Sequence, residues 1–252
     1  MSLTLQDWHN RFLIQAQWTK ALRLYFFDLI RAHPSDRMLD MGCGTGALLQ
    51  DLQALSPGEV FGSDISLEHL QLAQSENPEI KLTAADVHQL PYPDDTFEFI
   101  LTHYFLMWVK DPSNALKEMS RVVKNGGYLV CFAEPDYGGR IDYPDDFKII
   151  RENQISGLEN AGADPRMGRK LRSLFHSMEL IDIQSGIYEG LWNSETTLPE
   201  TDSEWQMLEN DLKDIITETD LAALKIQDQI SRDNGSRIIH VPTFYTWGKV
   251  QK

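Results

Sequence analysis

Leu39-Asp40-Met41-Gly42-Cys43-Gly44-Thr45-Gly46 places three glycines at alternate positions, after a short apolar strand and before a helix-like run from Ala47 to Leu55. Glycines so spaced let the backbone take φ > 0 and remove the Cβ atoms that would hold a ligand away. A strand-turn-helix of this kind brings nucleotide-like molecules against bare backbone at the carboxyl end of a strand. Two parsings stand at this point. Gly42-Cys-Gly44-Thr-Gly46-Ala47 fits G-x-G-x-x-A, close to a dinucleotide fingerprint. The same residues, preceded by Asp40, also fit an acidic-glycine turn for a different cofactor.

Outward from the turn, strands and helices alternate. Met38–Met41, Glu59–Ser63, Ile80–Ala84, Phe97–Leu101 and Tyr128–Ala133 read as strands. Helices are expected over Ala47–Leu55, from an N-cap at Ser66, and from Pro112-Ser113 to Val123, where Asn125-Gly126-Gly127 ends the element. Such a rhythm predicts a parallel sheet with helices on both faces. Before it, residues 4–33 read as one long amphipathic helix through Phe12, Trp18, Leu22, Tyr25, Phe26 and Leu29, stopped by Pro34. After it come a loop over 135–144, helices near 145–160 and 168–178, a strand over Leu180–Tyr188 and a helical segment over about 195–235. A last strand-like run covers Arg237–Val250. The expected organisation is a single domain over 1–252: an N-terminal lid helix (1–35), a core (36–190 and 236–252) and a helical insertion (191–235).

Composition narrows the partners. The chain has 252 residues, 42% hydrophobic and 24% charged, and a net charge of −15, a surface that repels phosphate backbones, so no nucleic-acid partner is expected. About half of that excess sits in residues 195–235, which carry 11 acidic and 3 basic residues; they read as a solvated face or as an acidic rim attracting a cationic substrate. Cys43 and Cys131 are the only cysteines. They form neither a disulfide framework nor a metal set, and they suit a reducing, cytoplasmic compartment. No basic and apolar leader opens the sequence, and no run approaches the roughly 20 apolar residues a membrane span needs.

Asp64 closes the second strand in Gly62-Ser63-Asp64-Ile65, Asp86 opens a segment running to Phe97, and Arg121-Val-Val-Lys-Asn-Gly126-Gly127 precedes the fifth strand. With the glycine turn, these motifs resemble the class I S-adenosylmethionine-dependent methyltransferases, particularly the group acting on small molecules, over about residues 36–135. The resemblance implies a Rossmann-like α/β fold: a seven-stranded, mostly parallel sheet with an antiparallel last strand, here Val241–Lys249 delayed by the insertion. It implies S-adenosylmethionine as cofactor, S-adenosylhomocysteine as product and in-line methyl transfer to a small organic acceptor. Gly42, Gly44 and Gly46, with Cys43 in the same turn, line the methionine part and ribose. Asp40 orients the amino group, Asp64 holds the ribose diol and Ile65 packs on adenine. Asp86 and Val87 meet the adenine amine, and His103 lies near the sulfonium. On the N-terminal helix, Arg11 and Arg23 can pair with the cofactor carboxylate and Trp18 can cover it.

Candidate bases stand after strands four and five: His103, Tyr104, Glu134, Asp136 and Tyr137, with His103 first because its ordinary pKa lies near ~6.5. The other histidines show no ligand spacing, and no metal is expected. Thr102-His103-Tyr104-Phe105 is unlike the Asn-Pro-Pro-Tyr of base and amide methylators, and no cysteine cluster exists for a metalloid acceptor. Tyr104, Trp108, Tyr137, Tyr143 and Trp192 are candidates to line the acceptor pocket. An NAD-dependent oxidoreductase and a non-catalytic S-adenosylmethionine binder are the competing readings. A lid role for the N-terminal helix predicts that deleting residues 1–30 removes cofactor binding and leaves the rest folded.

Overall fold

The computed structural model describes residues 3–188 and 198–252. Trp192 and the opening of the expected insertion lie outside the described residues. The chain begins with α1 (Leu5–Trp18) and α2 (Lys20–Ile30), then runs β1 (Arg37–Met41), α3 (Leu49–Leu55), β2 (Glu59–Asp64), α4 (Leu67–Glu76), β3 (Lys81–Ala84) and β4 (Phe97–Thr102). It continues with α5 (Pro112–Val122), β5 (Val123–Pro135), β6 (Ile141–Tyr143), α6 (Lys148–Asn160), α7 (Leu171–Ser177) and β7 (Ile181–Tyr188). After the undescribed residues come α8 (Leu198–Leu212), α9 (Glu218–Asp233), β8 (Ile238–His240) and β9 (Thr243–Lys249).

Seven strands form one sheet in the order β3-β2-β1-β4-β5-β9-β7. β1 pairs in parallel with β2 and β4, while β9 runs antiparallel between β5 and β7. This is the Rossmann-like arrangement expected from the sequence, antiparallel last strand included. Period-two alternation splits the core. Leu39, Met41 and Ile100 pack on one face beneath α5 and α7, and Met38, Phe99, Leu101 and Val130 on the other with α2 and α3. A smaller third core gathers Phe147, Ile150, Trp205, Leu208 and Leu212 where α6 and α8 meet.

Local chemistry sets the helix ends. Thr4 and Asp7 close a capping box on α1. Ser66 caps α4 as expected, accepting from the His69 N–H at 3.3 Å. Asp111 caps α5 with Pro112 in the first turn.

Several elements depart from expectation. The N-terminal helix is two helices, broken at Thr19 (φ −102°, ψ 7°), whose hydroxyl is drawn into contacts described below. α2 is core: the wholly buried Phe26 meets Phe132 edge-on and lies 5.3 Å from Trp247, ring centre to ring centre. Deleting residues 1–30 therefore removes part of the hydrophobic core, so the sequence-level deletion test does not isolate a lid. Val241-Pro242 splits the last strand-like run, and β8 leaves the main sheet to pair with β6 as a separate antiparallel ribbon. Asn125-Gly126-Gly127 does not precede β5 but lies within it, with a register shift against β4.

Candidate active site

The glycine turn closes on the carboxyl end of β2: the Gly42 and Cys43 N–H groups both donate to the Ser63 carbonyl, at 2.8 and 3.0 Å. Gly42, Gly44 and Gly46 have φ of +76°, +51° and +82°, a region L side chains rarely adopt. At Gly42 the approach is tightest, since a Cβ would sit 2.1 Å from the Phe105 ring. Gly42→Ala adds a clash to an unfavourable φ, and is expected to lower stability by about 2 kcal/mol or more. Urea unfolding checks this; a midpoint equal to wild type contradicts the contact.

Asp64 is placed by this turn. Its Oδ2 accepts from the Gly44 N–H at 2.9 Å and its Oδ1 from the Ser66 N–H at 2.8 Å, tying β1's turn to the start of α4. A carboxylate has about four acceptor sites, so two stay open. Beside it Ile65 presents an apolar side chain that is 72% exposed. Asp86 and Val87 follow β3. Both the His88 N–H and its ring Nδ1 engage Asp86 Oδ1, at 2.9 and 2.6 Å, and these bonds hold the carboxyl below its ordinary pKa. Val87 is buried in the core; Cys43 is a buried free thiol whose pKa burial pushes well up.

Asp40 is 3% exposed, and its carboxylate makes no hydrogen bond among the described residues. Burial and then the nearby Asp64 charge raise its pKa to about 7, against the pull of Arg23. Glu134 is raised to about 7 by burial, opposed by bonds from three backbone N–H groups. Between the ordinary carboxylate range and pH 7, the folded protein keeps protons that the unfolded chain has released, so stability falls as pH rises across that window. The thermal midpoint of the ligand-free protein is expected to be lower at pH 8 than at pH 5.5, with Asp40→Asn shrinking the difference. An unchanged slope in that variant would count against the assignment.

α1 lies across this end of the sheet. His9 Nδ1 is 2.9 Å from Thr45 Oγ1, and the Phe12 ring stands 3.5 Å from where a Gly44 Cβ would be. At the helix break, Thr19 Oγ1 is 2.8 Å from His103 Nε2 and accepts from Arg23 Nη1 at 2.7 Å. Arg23, wholly buried, also binds Asp51 at 2.5 Å. Thr19 has one proton, and its other neighbour, the Ala16 carbonyl, is 3.5 Å away. The hydroxyl therefore donates to Nε2, which leaves the imidazole proton on Nδ1. Burial, then the Arg23 charge, lowers the His103 pKa to about 3. His103 is a neutral ring with its basic lone pair occupied, a poor proton acceptor in this conformation.

Glu134 and Asp136 are engaged too. Glu134 accepts from the N–H groups of Phe105, Leu106 and Met107 at 2.7–3.0 Å, which pins the loop whose Phe105 covers Gly42. Asp136 binds Arg169 and the Gly138 N–H. Burial raises both the Tyr104 and Tyr137 phenols.

Beyond β4 and β5, Arg11 is 7% exposed, with its guanidinium 4.8 Å over the Trp18 ring and its Nη2 3.0 Å from Glu204 of α8. Burial raises the Glu204 pKa, but Arg11 and Arg140 outweigh it and hold the group below its ordinary value. Trp108 and Tyr143, expected in the pocket, are about half exposed. The acidic insertion does not form a cation-attracting rim at Glu204 and Asp228: Glu204 pairs with Arg11, and Asp228 with Arg232 and Arg237. Thr19, Asp51 and Glu204 are site residues that sequence reasoning missed; none stands in a motif. Among the described residues no group of three or more His, Cys, Asp or Glu could hold a metal, and no helix is long and apolar enough to cross a membrane.

Residues 39–131 match the family described as "Methyltransferase domain". With this strand order and glycine turn, that stretch, under half of the chain, is similar to the core of the class I S-adenosylmethionine-dependent methyltransferases. An uncharacterised methyltransferase of Schizosaccharomyces pombe is 34% identical over 154 residues, 55% of this chain and 54% of that protein. The demethylmenaquinone methyltransferase of Renibacterium salmoninarum is 34% identical over 122 residues, 48% of this chain and 51% of that one. The chain thus spans about half the length of these curated relatives. Among solved structures, Haemonchus contortus phosphoethanolamine N-methyltransferase 2, in complex with phosphomonomethylethanolamine and S-adenosylhomocysteine, superposes with a TM-score of 0.56 at 15% identity. That likeness covers 86% of this chain and 50% of the other, and shows the fold.

Proposed function

We propose that this protein transfers the methyl group of S-adenosylmethionine to a small organic acceptor. The observation that carries the reading is Asp40: a buried carboxyl without a hydrogen-bond partner among the described residues, beside a turn whose glycines leave the backbone bare. A buried acidic group in that position calls for a cationic, hydrogen-bond-donating ligand, and an amino-acid sulfonium provides both. The remaining acceptor sites of Asp64 suit a ribose diol, the exposed face of Ile65 suits adenine, and Asp86 with Val87 stands at the adenine edge. Trp18 and His103 lie at the methionine end, where α1 reaches β4. The structural relatives that hold S-adenosyl ligands support the same cofactor.

The sulfonium supplies an already activated methyl carbon. The chain's own contribution is alignment and exclusion of water, worth up to ~7–11 kcal/mol in favourable cases. α1 lies across the cleft through the His9–Thr45 and Thr19–His103 contacts, and α8 joins it through Arg11–Glu204, so we assign both as a cover. His103, neutral with a proton on Nδ1, orients rather than abstracts. An acceptor already deprotonated at working pH fits this site, because His103, Glu134 and Asp136 are engaged in the fold. A reducing, cytoplasmic setting suits two buried free thiols, and a charge of −15 argues against nucleic-acid acceptors.

Titration calorimetry with S-adenosylmethionine, S-adenosylhomocysteine and NAD tests the donor. Binding of both S-adenosyl compounds and none of NAD is expected; NAD binding alone overturns the proposal. A methyl-donor assay over amines, phenols and acids then separates an enzyme from a binder.

A further inference from the structure

We infer that Arg11 forms a carboxylate-binding subsite for the methyl acceptor, so that the acceptor is a small organic acid; this rests on the methyltransferase reading above. Arg11 is 7% exposed, yet its Nε and Nη1 are buried without a hydrogen-bond partner among the described residues. A guanidinium keeps its charge under all ordinary conditions, and leaving its buried donors unused is costly. Glu204 takes only one hydrogen, through Nη2 at 3.0 Å. Nη2 carries two hydrogens: one is aligned with Nε–H, the other with an Nη1–H. Whichever of them Glu204 accepts, one two-donor edge of the fork stays open. A planar carboxylate is the partner that fills such an edge with two parallel bonds. The ring of Trp18, 4.8 Å below, fixes the guanidinium plane.

Position assigns that carboxylate to the acceptor rather than to the cofactor. The cation felt by Asp40 and His103 is Arg23, whose Nη atoms are committed to Thr19 and Asp51. Arg11 instead acts, with Glu204, on the Tyr104 and Tyr137 phenols past the ends of β4 and β5. Its hydrogen-bond partner is Glu204 of α8, whereas those of Arg23 are Thr19 and Asp51, so the two guanidinium groups serve different partners.

The experiment follows the Arg11 Nε–H resonance in isotope-labelled protein, with and without S-adenosylhomocysteine, during titration with acetate and with acetamide. Acetate is expected to shift it saturably in both states, and acetamide to leave it in place. Glu204→Gln removes the competing negative charge while keeping an acceptor for Nη2, so acetate should bind about threefold tighter. A resonance unmoved by acetate, or weaker acetate binding in Glu204→Gln, overturns the inference. The source of the carboxylate is read from Arg11→Gln with two cofactor probes. S-adenosylhomocysteine carries a carboxylate and 5′-methylthioadenosine does not; the variant should bind each within about threefold of wild type. A loss of about tenfold or more for the first alone makes Arg11 a cofactor contact and overturns the acceptor assignment. Failure of S-adenosylhomocysteine to bind wild type sinks the donor reading separately, because acetate is also titrated into ligand-free protein.

Discussion

Asp64→Ala is expected to weaken S-adenosylhomocysteine binding by about a hundredfold or more, the loss of two bonds to a charged acceptor at roughly 1.5–3 kcal/mol each. The structure makes this more than a lost ligand contact. The same carboxylate accepts from the Gly44 and Ser66 N–H groups, so it sets the turn against which the ribose would lie. Asp64→Asn separates the two jobs poorly, because its amide donor would face one of those two N–H donors. The alanine variant is the cleaner probe when its melting temperature is measured beside its calorimetric affinity. A lower melting temperature with unchanged affinity would reduce Asp64 to a clamp on the turn and remove it from the cofactor site.

The second large effect lies far from the glycine turn. Asp142→Ala should cost about 3–5 kcal/mol, the usual penalty for stranding buried charge, and on the order of 10 °C in melting temperature. The Asp142 side chain is fully buried between Arg140, at 2.7 Å, and Arg237, at 2.9 Å. Arg237 continues to Asp228 at 2.6 Å, and Asp228 to Arg232 at 2.7 Å, with the Trp205 indole N–H donating to it at 3.0 Å. Arg237 also stacks 3.9 Å over Phe147. The chain of charges joins the β6–β8 ribbon to α8 and α9, so removing Asp142 leaves two guanidinium groups in the protein interior. Urea unfolding of Asp142→Ala, Arg237→Met and the double variant measures the coupling. Strictly additive losses would mean that the two residues do not act as a unit.

The sheet was legible because its strands carry apolar runs long enough to show a period, and because Gly42, Asp64 and Asp86 fall where strands end. The first five strands followed from that, whereas the seven-stranded sheet with its antiparallel last strand came from the family resemblance. The break at Thr19 was hidden, since helix periodicity registers which face is apolar and not that one hydroxyl is claimed by a histidine 84 residues away. The β6–β8 ribbon was missed because three-residue strands are too short to alternate. Charge counting over 195–235 could not tell an acid turned to solvent from one paired inside, and Glu204 and Asp228 are paired. Glu134 looked like a base because of its place after β5; only the three-dimensional loop reveals the N–H groups that consume it.

The Arg11–Glu204 bridge joins residues 193 positions apart, and neither belongs to the stretch that matches a methyltransferase domain, 39–131. On the proposed assignments, Arg11 and Glu204 stand on two segments that flank the stretch carrying the glycine turn, Asp64 and Asp86. A change of acceptor is then expected to leave its trace as paired substitutions in the two flanks, with the glycine turn between them untouched.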